Sequence, residues 1–380
     1  MSKLLVKNGL VYDAVTREPK NVDVLAADGK IVRIEAGIED AEAVVIDAQG
    51  KRVYPGFIDA HTHIGLDTSF AAYESDYNEM NGPVTPQIRA IDGYNPMDKS
   101  IELARKGGVT TICTGPGSAN VLGGTFVAVK TYGKRVDDVV VKEEAAMKAA
   151  FGENPKRCYK DKAITSRMTT AAILRTNLCK AHEYQRKLDA AGEDGDKLPT
   201  YDPVMEALLP VIRGEMPIKA HAHRADDIFT AIRIAKEFGI KLTLEHVTDG
   251  ALIAEDLAKE HFPCAVGPSL GHPSKLELAN KGFETPGILS KAGCDVSIIT
   301  DAGVIPQEYL SLCAGLAVKA GMDPFEALKA ITINPAKHIG IADRVGSIEV
   351  GKDADLVIAD GDPMLSDTRI LHVIIDGEER

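Results

Sequence analysis

The chain has 380 residues, of which 44% are hydrophobic and 26% charged, and its formal net charge is −12. These values are typical of a globular protein with room for one large barrel and a smaller unit, and the negative charge argues against nucleic acid or anionic membranes as main partners. No apolar run is long enough to span a bilayer, and the first residues lack the features of a secretory signal peptide. Because the six cysteines are scattered, we expect reduced thiols in a cytoplasmic protein.

Both ends of the chain carry the pattern of short β-strands. In residues 1–54, Asn8-Gly9 lies between two apolar runs and Asp28-Gly29 between two more, and each pair is a turn signal that predicts a hairpin. Residues 341–380 return to apolar runs separated by turn residues. We predict that 1–54 and 341–380 together form one small β-sandwich domain.

Residues 55–340 alternate between apolar strand-like runs and amphipathic helical segments. One example is a helix predicted over 226–238, which Gly239 would end as a C-cap, between strand-like runs at 217–221 and 240–246. Such alternation predicts parallel strands in an α/β fold, and the length suits a TIM-like (β/α)8 barrel of ~250 residues. A doubly wound sheet is the alternative, but a glycine-rich phosphate loop would then follow the first strand, where this chain has histidines.

The pair His61-Thr-His63 ends the first strand predicted for the barrel. Residues two apart in a strand point to the same side, so the two imidazoles converge. Neutral imidazole is a strong ligand for Zn²⁺ and similar ions. A hydrogen-bonded or surface pair is the alternative interpretation, but barrel enzymes carry their catalytic groups at strand ends of this kind.

Three later strand ends also carry metal-ligand residue types: His221, His246 and Asp301. His223 repeats the two-residue spacing after His221. A single histidine at such a place is more often structural. Four strand ends of this kind, in a chain with only ten histidines, indicate a shared metal centre.

With these residues the sequence resembles the amidohydrolase superfamily of metal-dependent barrel hydrolases. The resemblance rests on the segment 55–63, on His221, His246 and Thr300-Asp301, and on the tail segment 346–357, and it covers nearly the whole chain. It is greatest to the branch that includes imidazolonepropionase-like hydrolases and prolidase-type carboxypeptidases.

The resemblance implies a set of metal ligands. His61 and His63 would bind one divalent ion, and His221 and His246 a second ion in two-metal members. Asp301 would be both a ligand and the catalytic group that accepts the proton of the attacking water. Zn is the expected metal, with Mn, Fe or Co as alternatives.

Two-metal members of this superfamily bridge their ions with a carboxylated lysine or a glutamate of the fourth strand. Lys148 and Glu153 are the two candidates. We favour Glu153, because a carboxylate at the strand end needs no modification. If Glu153 only caps a turn and Lys148 is an ordinary lysine, a one-metal site remains.

The residues after the fifth strand bear on the substrate. Related deaminases place a catalytic glutamate three residues after His221, where this chain has Arg224. Arginine stays charged and is a poor proton shuttle, but it binds carboxylates through paired hydrogen bonds. We therefore predict Arg224, together with His223 and His272, as substrate-binding residues; the alternative is that Arg224 and His272 are solvated surface residues.

The resulting expectation is a hydrolase that cleaves a C–N bond, in an amide, a cyclic amide or a peptide, of a small substrate bearing a carboxylate. Deamination of a heterocyclic base is the first alternative, and a catalytically silent oligomeric scaffold the second. We expect a homo-oligomer without nucleic-acid or membrane partners. The aromatic residues between Phe70 and Tyr94 are interpreted as a packed loop, with a lid over the site as the alternative.

Overall fold

The structure is a computed structural model that describes residues 3–67 and 75–380. Its strands are β1 Lys3–Lys7, β2 Leu10–Val11, β3 Lys20–Asn21, β4 Asp23–Ala27, β5 Lys30–Glu35, β6 Val44–Asp47, β7 Arg52–Pro55, β8 Phe57–Thr62, β9 Val109–Thr114, β10 Leu122–Lys130, β11 Val140–Ala150, β12 Ile218–Ala222, β13 Leu242–His246, β14 Cys264–Val266, β15 Val296–Ile298, β16 Leu356–Ala359, β17 Ile370–Ile375 and β18 Glu378–Glu379. Its helices are α1 Ala90–Gly93, α2 Lys99–Lys106, α3 Glu153–Tyr159, α4 Arg167–Ala191, α5 Pro203–Glu206, α6 Leu209–Ile212, α7 Ala225–Phe238, α8 Ala254–Glu260, α9 Thr285–Ala292, α10 Leu310–Lys319, α11 Pro324–Lys329 and α12 Ile333–His338. Within these residues, no helix combines the length and apolarity that crossing a membrane requires.

The predicted TIM-like barrel is confirmed as an eight-stranded, nearly closed sheet in which β8 to β15 follow one another in chain order. The helix predicted over 226–238 is α7, and Gly239 ends it in the left-handed conformation with φ 65°. The core lies between the sheet and the helices outside it, where the fully buried Leu178 of α4, Ile228 of α7 and Leu289 of α9 pack.

One strand of the barrel departs from the regular alternation that the sequence predicts. The strand β10 runs antiparallel to both of its neighbours, β9 and β11, whereas the other pairs in this sheet are parallel. Short connections without an α-helix, at 115–121 and 131–139, join these three strands. A parallel crossover needs a dozen or more residues, so these connections allow only antiparallel pairing.

Hydrogen bonds from a buried carboxylate connect the first barrel strand to the last. Asp59 of β8 accepts from the backbone N–H of Thr300 (3.0 Å), from its hydroxyl (2.7 Å) and from Nε2 of Gln307 (2.6 Å). Its other oxygen accepts from the backbone N–H of His61 at 2.9 Å. The first and last strands of the barrel, β8 and β15, are thus connected through the Asp59 side chain and not by regular strand pairing. This connection lies beside His61, in the first barrel strand.

The two ends of the chain build two further sheets. One has the order β5-β4-β1-β6 and the other β18-β17-β16-β7-β2-β3. Buried residues of both sheets share one apolar core, for example Val6 and Val24 against Val53 and Leu356. This arrangement matches the layers of a sandwich, while the exact domain limits at 54 and 341 stay a prediction.

The two turn signals near the N-terminus behave differently. Asp28-Gly29 joins β4 and β5 as a hairpin, with Ala27 opposite Lys30. The hairpin predicted at Asn8-Gly9 is wrong, because β1 pairs with β4 and β6 whereas β2 pairs with β3 and β7 of the other sheet. Since the flanking strands enter different layers, this turn is a crossover between sheets.

Candidate metal centre and active-site cavity

The predicted histidines meet at one rim of the barrel. His61 lies in β8 and His63 directly after it, His221 lies in β12, and His246 is the last residue of β13. All four are buried. The C-terminal ends of parallel strands meet at the same rim, so residues far apart in the sequence come together there.

Each histidine at this rim has its Nδ1 atom engaged by a protein oxygen. The partners are Glu245 Oε2 for His61 at 2.8 Å, Gly115 O for His63 at 2.7 Å, Ser118 Oγ for His221 at 2.8 Å, Thr248 Oγ1 for His223 at 2.8 Å and Gly267 O for His246 at 2.8 Å. A carbonyl or carboxylate partner fixes the tautomer with hydrogen on Nδ1. The Nε2 lone pairs of His61, His63 and His246 then face the rim, as in protein metal sites whose outer hydrogen bonds orient the ligating imidazoles. Nε2 of His61 lies 3.2 Å from Nζ of Lys148, and Nε2 of His221 lies 3.4 Å from Nδ2 of Asn154.

The ligand atoms form two groups that share His246. One group contains His61, His246 and Asp301, the other His221, His223 and His246, and within each group the ligand atoms lie within 4.8 Å of one another. Asp301 Oδ1 lies 3.2 Å from His63 Nε2 and 3.7 Å from His61 Nε2. The Nε2 atom of His246 is buried and has no hydrogen-bond partner among the residues that the structure describes. A bound cation would satisfy this atom, so the donor set fits a divalent ion.

The charge states at the centre also suit metal binding. Burial lowers the pKa of His61, His221 and His223 well below the usual value, and that of His246 to about 4. Neutral imidazoles are the ligating form. Although burial opposes it, the neighbouring His246, His63 and His61 hold the pKa of Asp301 below its usual value, so this carboxylate is ionised.

The structure places Lys148, rather than Glu153, at the metal centre. Lys148 is fully buried in β11, and its Nζ lies 3.2 Å from Nε2 of His61. Burial lowers its pKa to about 8. Glu153 begins α3 instead, where its Oε1 accepts from the backbone N–H of Glu277 at 3.1 Å. The preference for Glu153 as the bridging ligand is therefore corrected, because the strand ends at Ala150 and the carboxylate of Glu153, at the start of α3, is bonded to the backbone of Glu277.

A cavity of about 530 Å³ opens onto this centre. Its wall includes His63, His221, His223 and Asp301, together with the predicted contact His272 and the cations Arg157, Lys275 and Lys281. Tyr77 lines it as well, with its ring 5.2 Å from that of His63. Phe70 and Tyr73, which belong to the proposed packed loop or lid, lie outside the described residues.

Arg224 does not line this cavity. Its guanidinium is exposed and forms two 3.0 Å hydrogen bonds with Asp226 at the start of α7. The structure therefore does not bring Arg224 to the cavity wall with the other predicted residues, and instead places it at the helix start, as the alternative interpretation expected. The reason is that His223 is the last residue of this segment at the rim of the barrel, and Arg224 already belongs to the start of the helix.

Sequence reasoning missed several charged residues that support the centre. Glu245 and Lys219 lie within barrel strands, fully buried, 3.0 Å apart. Glu277 lies in the 3₁₀ turn Leu276–Leu278, also buried. The sequence did contain a signal for Glu245 and Lys219, because a charge inside a short apolar strand must find a partner. It contained no comparable signal for Glu277, which lies in a polar loop.

Comparisons with known proteins agree with this architecture. Residues 52–380 match the model of the amidohydrolase family. The crystal structure of an amidohydrolase from Thermotoga maritima MSB8 is 42% identical, superposes with a TM-score of 0.96, and each chain covers 99% of the other.

Two curated relatives match across most of this chain. A dihydroorotase from Pelotomaculum thermopropionicum is 26% identical over 95% of this chain and 89% of its own length. Amidohydrolase tasK from Hapsidospora irregularis is 28% identical over 93% of this chain, but the match spans only 39% of the length of tasK.

Proposed function

Because the chain belongs to the amidohydrolase family and is a hydrolase of C–N bonds, we propose that it cleaves an amide, a cyclic amide or a peptide bond. The substrate is small and carries a carboxylate. One observation carries the proposal: the ionised Asp301 meets His61 and His63 at the wall of a cavity of about 530 Å³. That volume lies in the range of small-molecule sites.

The residues divide the chemistry between them. A divalent ion held at this centre would supply the Lewis acidity that activates water and polarises the substrate carbonyl. Asp301 accepts the proton of the attacking water and delivers it to the leaving nitrogen. The Nδ1 bonds to Glu245 and Gly115 hold the rings of His61 and His63 in the ligating orientation. Zn is the proposed metal, since its usual ligands are imidazole nitrogen and carboxylate oxygen.

The cations in the cavity wall support an anionic substrate. Lys275 is paired with Glu277, but Lys281 has no carboxylate within salt-bridge distance among residues 3–67 and 75–380 and donates only to the carbonyl of Leu270 at 3.2 Å. Arg157, which is exposed at the same wall, also lacks a carboxylate partner in that part of the chain. These side chains take over the carboxylate-binding role that the sequence had suggested for Arg224.

A substrate screen tests the proposal. Protein reconstituted with Zn²⁺, Mn²⁺ or Co²⁺ is assayed against N-acyl amino acids, dipeptides and cyclic amides, each with its neutral amide as a matched control. We expect metal-dependent hydrolysis that prefers the carboxylates. Ammonia release from purines or pyrimidines, without cleavage of any amide, would instead establish a deaminase.

A further inference from the structure

Two hydrogen bonds connect Glu277 to Glu153. Its Oε2 accepts from the N–H of Glu153 at 2.8 Å, while the carboxylate of Glu153 accepts from the N–H of Glu277 at 3.1 Å. This reciprocal pair connects the loop after β14 to the start of α3. The side chain of Glu277 has no solvent exposure. One carboxylate oxygen is therefore used for the link and the other, Oε1, is directed elsewhere.

Oε1 of Glu277 faces the second group of histidines. It lies 3.8 Å from Nε2 of His223 and 4.0 Å from Nε2 of His221. It is buried and has no aligned hydrogen-bond donor within residues 3–67 and 75–380, although Nζ of Lys275 lies 2.5 Å away. The ammonium of Lys275 is thus the cation that compensates this oxygen in the structure.

We propose that Glu277 is a fourth protein ligand of a divalent ion held by His221, His223 and His246. Zn–N bonds of about 2.0–2.1 Å and Zn–O bonds of about 2.0–2.2 Å place neighbouring ligand atoms a little over 3 Å apart. The observed 3.8 and 4.0 Å separations come within that range after small side-chain movements. Three imidazoles and one carboxylate are a donor set that Zn²⁺ accepts.

The proposal rests on the metal-dependent activity proposed above. It adds that the metal ion and Lys275 compete for the same carboxylate oxygen. The ion and the ammonium of Lys275 need the same oxygen, and two cations repel each other at this distance. Binding of the ion therefore displaces Lys275 towards the cavity that it lines. There its charge becomes available to an anionic substrate, so occupancy of this site and substrate binding are coupled.

Metal affinity measured without substrate tests the assignment. Apo-protein is titrated with Zn²⁺ against a chelating indicator at one fixed pH, and bound Co²⁺ is followed by its absorption spectrum. In Glu277→Gln we expect the affinity of one ion to fall about 10-fold or more, on the scale of losing a group that orients or binds a metal. In Lys275→Met we expect tighter binding of the same ion, because its competitor is gone.

Glu153→Gln is the matched control, since Glu153 takes part in the same link between loop and helix but does not face the histidines. We expect it to bind both ions as the wild type does. Equal losses in Glu153→Gln and Glu277→Gln, or an affinity that neither Glu277→Gln nor Lys275→Met changes, would overturn the assignment. If the wild-type protein binds no ion at all, the proposed function itself fails.

Discussion

Nδ1 of His61 lies 2.8 Å from Oε2 of Glu245, although the two residues belong to strands that are not neighbours in the barrel. The same carboxylate accepts from Nε2 of His338 at 2.8 Å and from the hydroxyl of Thr243 at 2.7 Å. Lys219 supplies the balancing charge at 3.0 Å. A buried network inside the barrel therefore holds one of the imidazoles proposed to bind the metal.

We expect Glu245→Gln to weaken metal binding at His61 about 10–100-fold, the usual effect of losing an outer-shell carboxylate. The single variant also leaves the ammonium of Lys219 unpaired, which destabilises the fold by about 3–5 kcal/mol. In the double variant Glu245→Gln/Lys219→Met we expect stability to recover and metal affinity to stay low. If both recover together, Glu245 acts only through the fold.

Asp301→Asn should retain the fold and lower turnover by about 10²-fold or more, since the group that moves the proton is lost. Steady-state kinetics on the first substrate found in the screen, with metal content measured on the same samples, checks this. Turnover close to the wild-type value in metal-loaded protein would remove Asp301 from the proton-transfer role.

Lys148 is expected to carry a carboxylate made from CO₂. The unprotonated amine attacks CO₂ and releases a proton, and the pKa of about 8 that burial imposes on Lys148 makes the fraction of amine in this form near neutral pH much larger than for an ordinary lysine. We expect uptake of a second ion by apo-protein to increase with added bicarbonate, and Lys148→Met to abolish that increase. Metal uptake that does not respond to bicarbonate in wild-type protein contradicts the modification.

Asp59→Ala should destabilise the barrel by about 3 kcal/mol or more, because it leaves several buried donors unpaired at about 1–3 kcal/mol each. The donors are those of Thr300, Gln307 and His61. Thr300→Val, which removes only one of them, should cost about 1 kcal/mol. Urea unfolding followed by circular dichroism measures both, and similar losses in the two variants would show that Asp59 does not close the barrel.

Lys130 of β10 is buried against carboxylates of the C-terminal segment, with Nζ 2.5 Å from Asp355 and 3.1 Å from Asp353. Lys130→Met should cost about 3–5 kcal/mol at neutral pH, because it leaves buried charge uncompensated. Burial opposes it, but Lys130 and Lys30 hold the pKa of Asp353 below its usual value. The stability that comes from Asp353 is therefore present above its unfolded-state pKa and is lost as the pH falls through the folded-state value. Burial raises the pKa of Asp355, so this partner loses its charge at a higher pH than Asp353 does.

We accordingly expect the stability difference between wild type and Lys130→Met to shrink in acid. Unfolding curves for both proteins over a series of pH values measure it. A difference that stays constant down to strongly acidic pH would show that the loss comes from packing and not from charge.

Local patterns in the sequence predicted the strand–helix alternation and the main residues of the site, but not the antiparallel direction of β10. Strand–helix alternation predicts a barrel, α7 follows from its apolar spacing, and the strand ends reveal His61, His63, His221, His246 and Asp301. Each of these signals depends on neighbours within a few positions, because side-chain direction repeats every two residues in a strand and every 3.6 in a helix.

Only the tertiary structure decided which residue reaches across space to another. It separated Asn8-Gly9 from the hairpin at Asp28-Gly29, replaced Glu153 by Lys148 at the centre, moved Arg224 out of the cavity and brought Glu277 towards His223. Every one of these outcomes depends on which strands become neighbours and where a loop returns to the rim. These contacts join residues far apart in the chain, and the local spacing of residues in the sequence does not determine them.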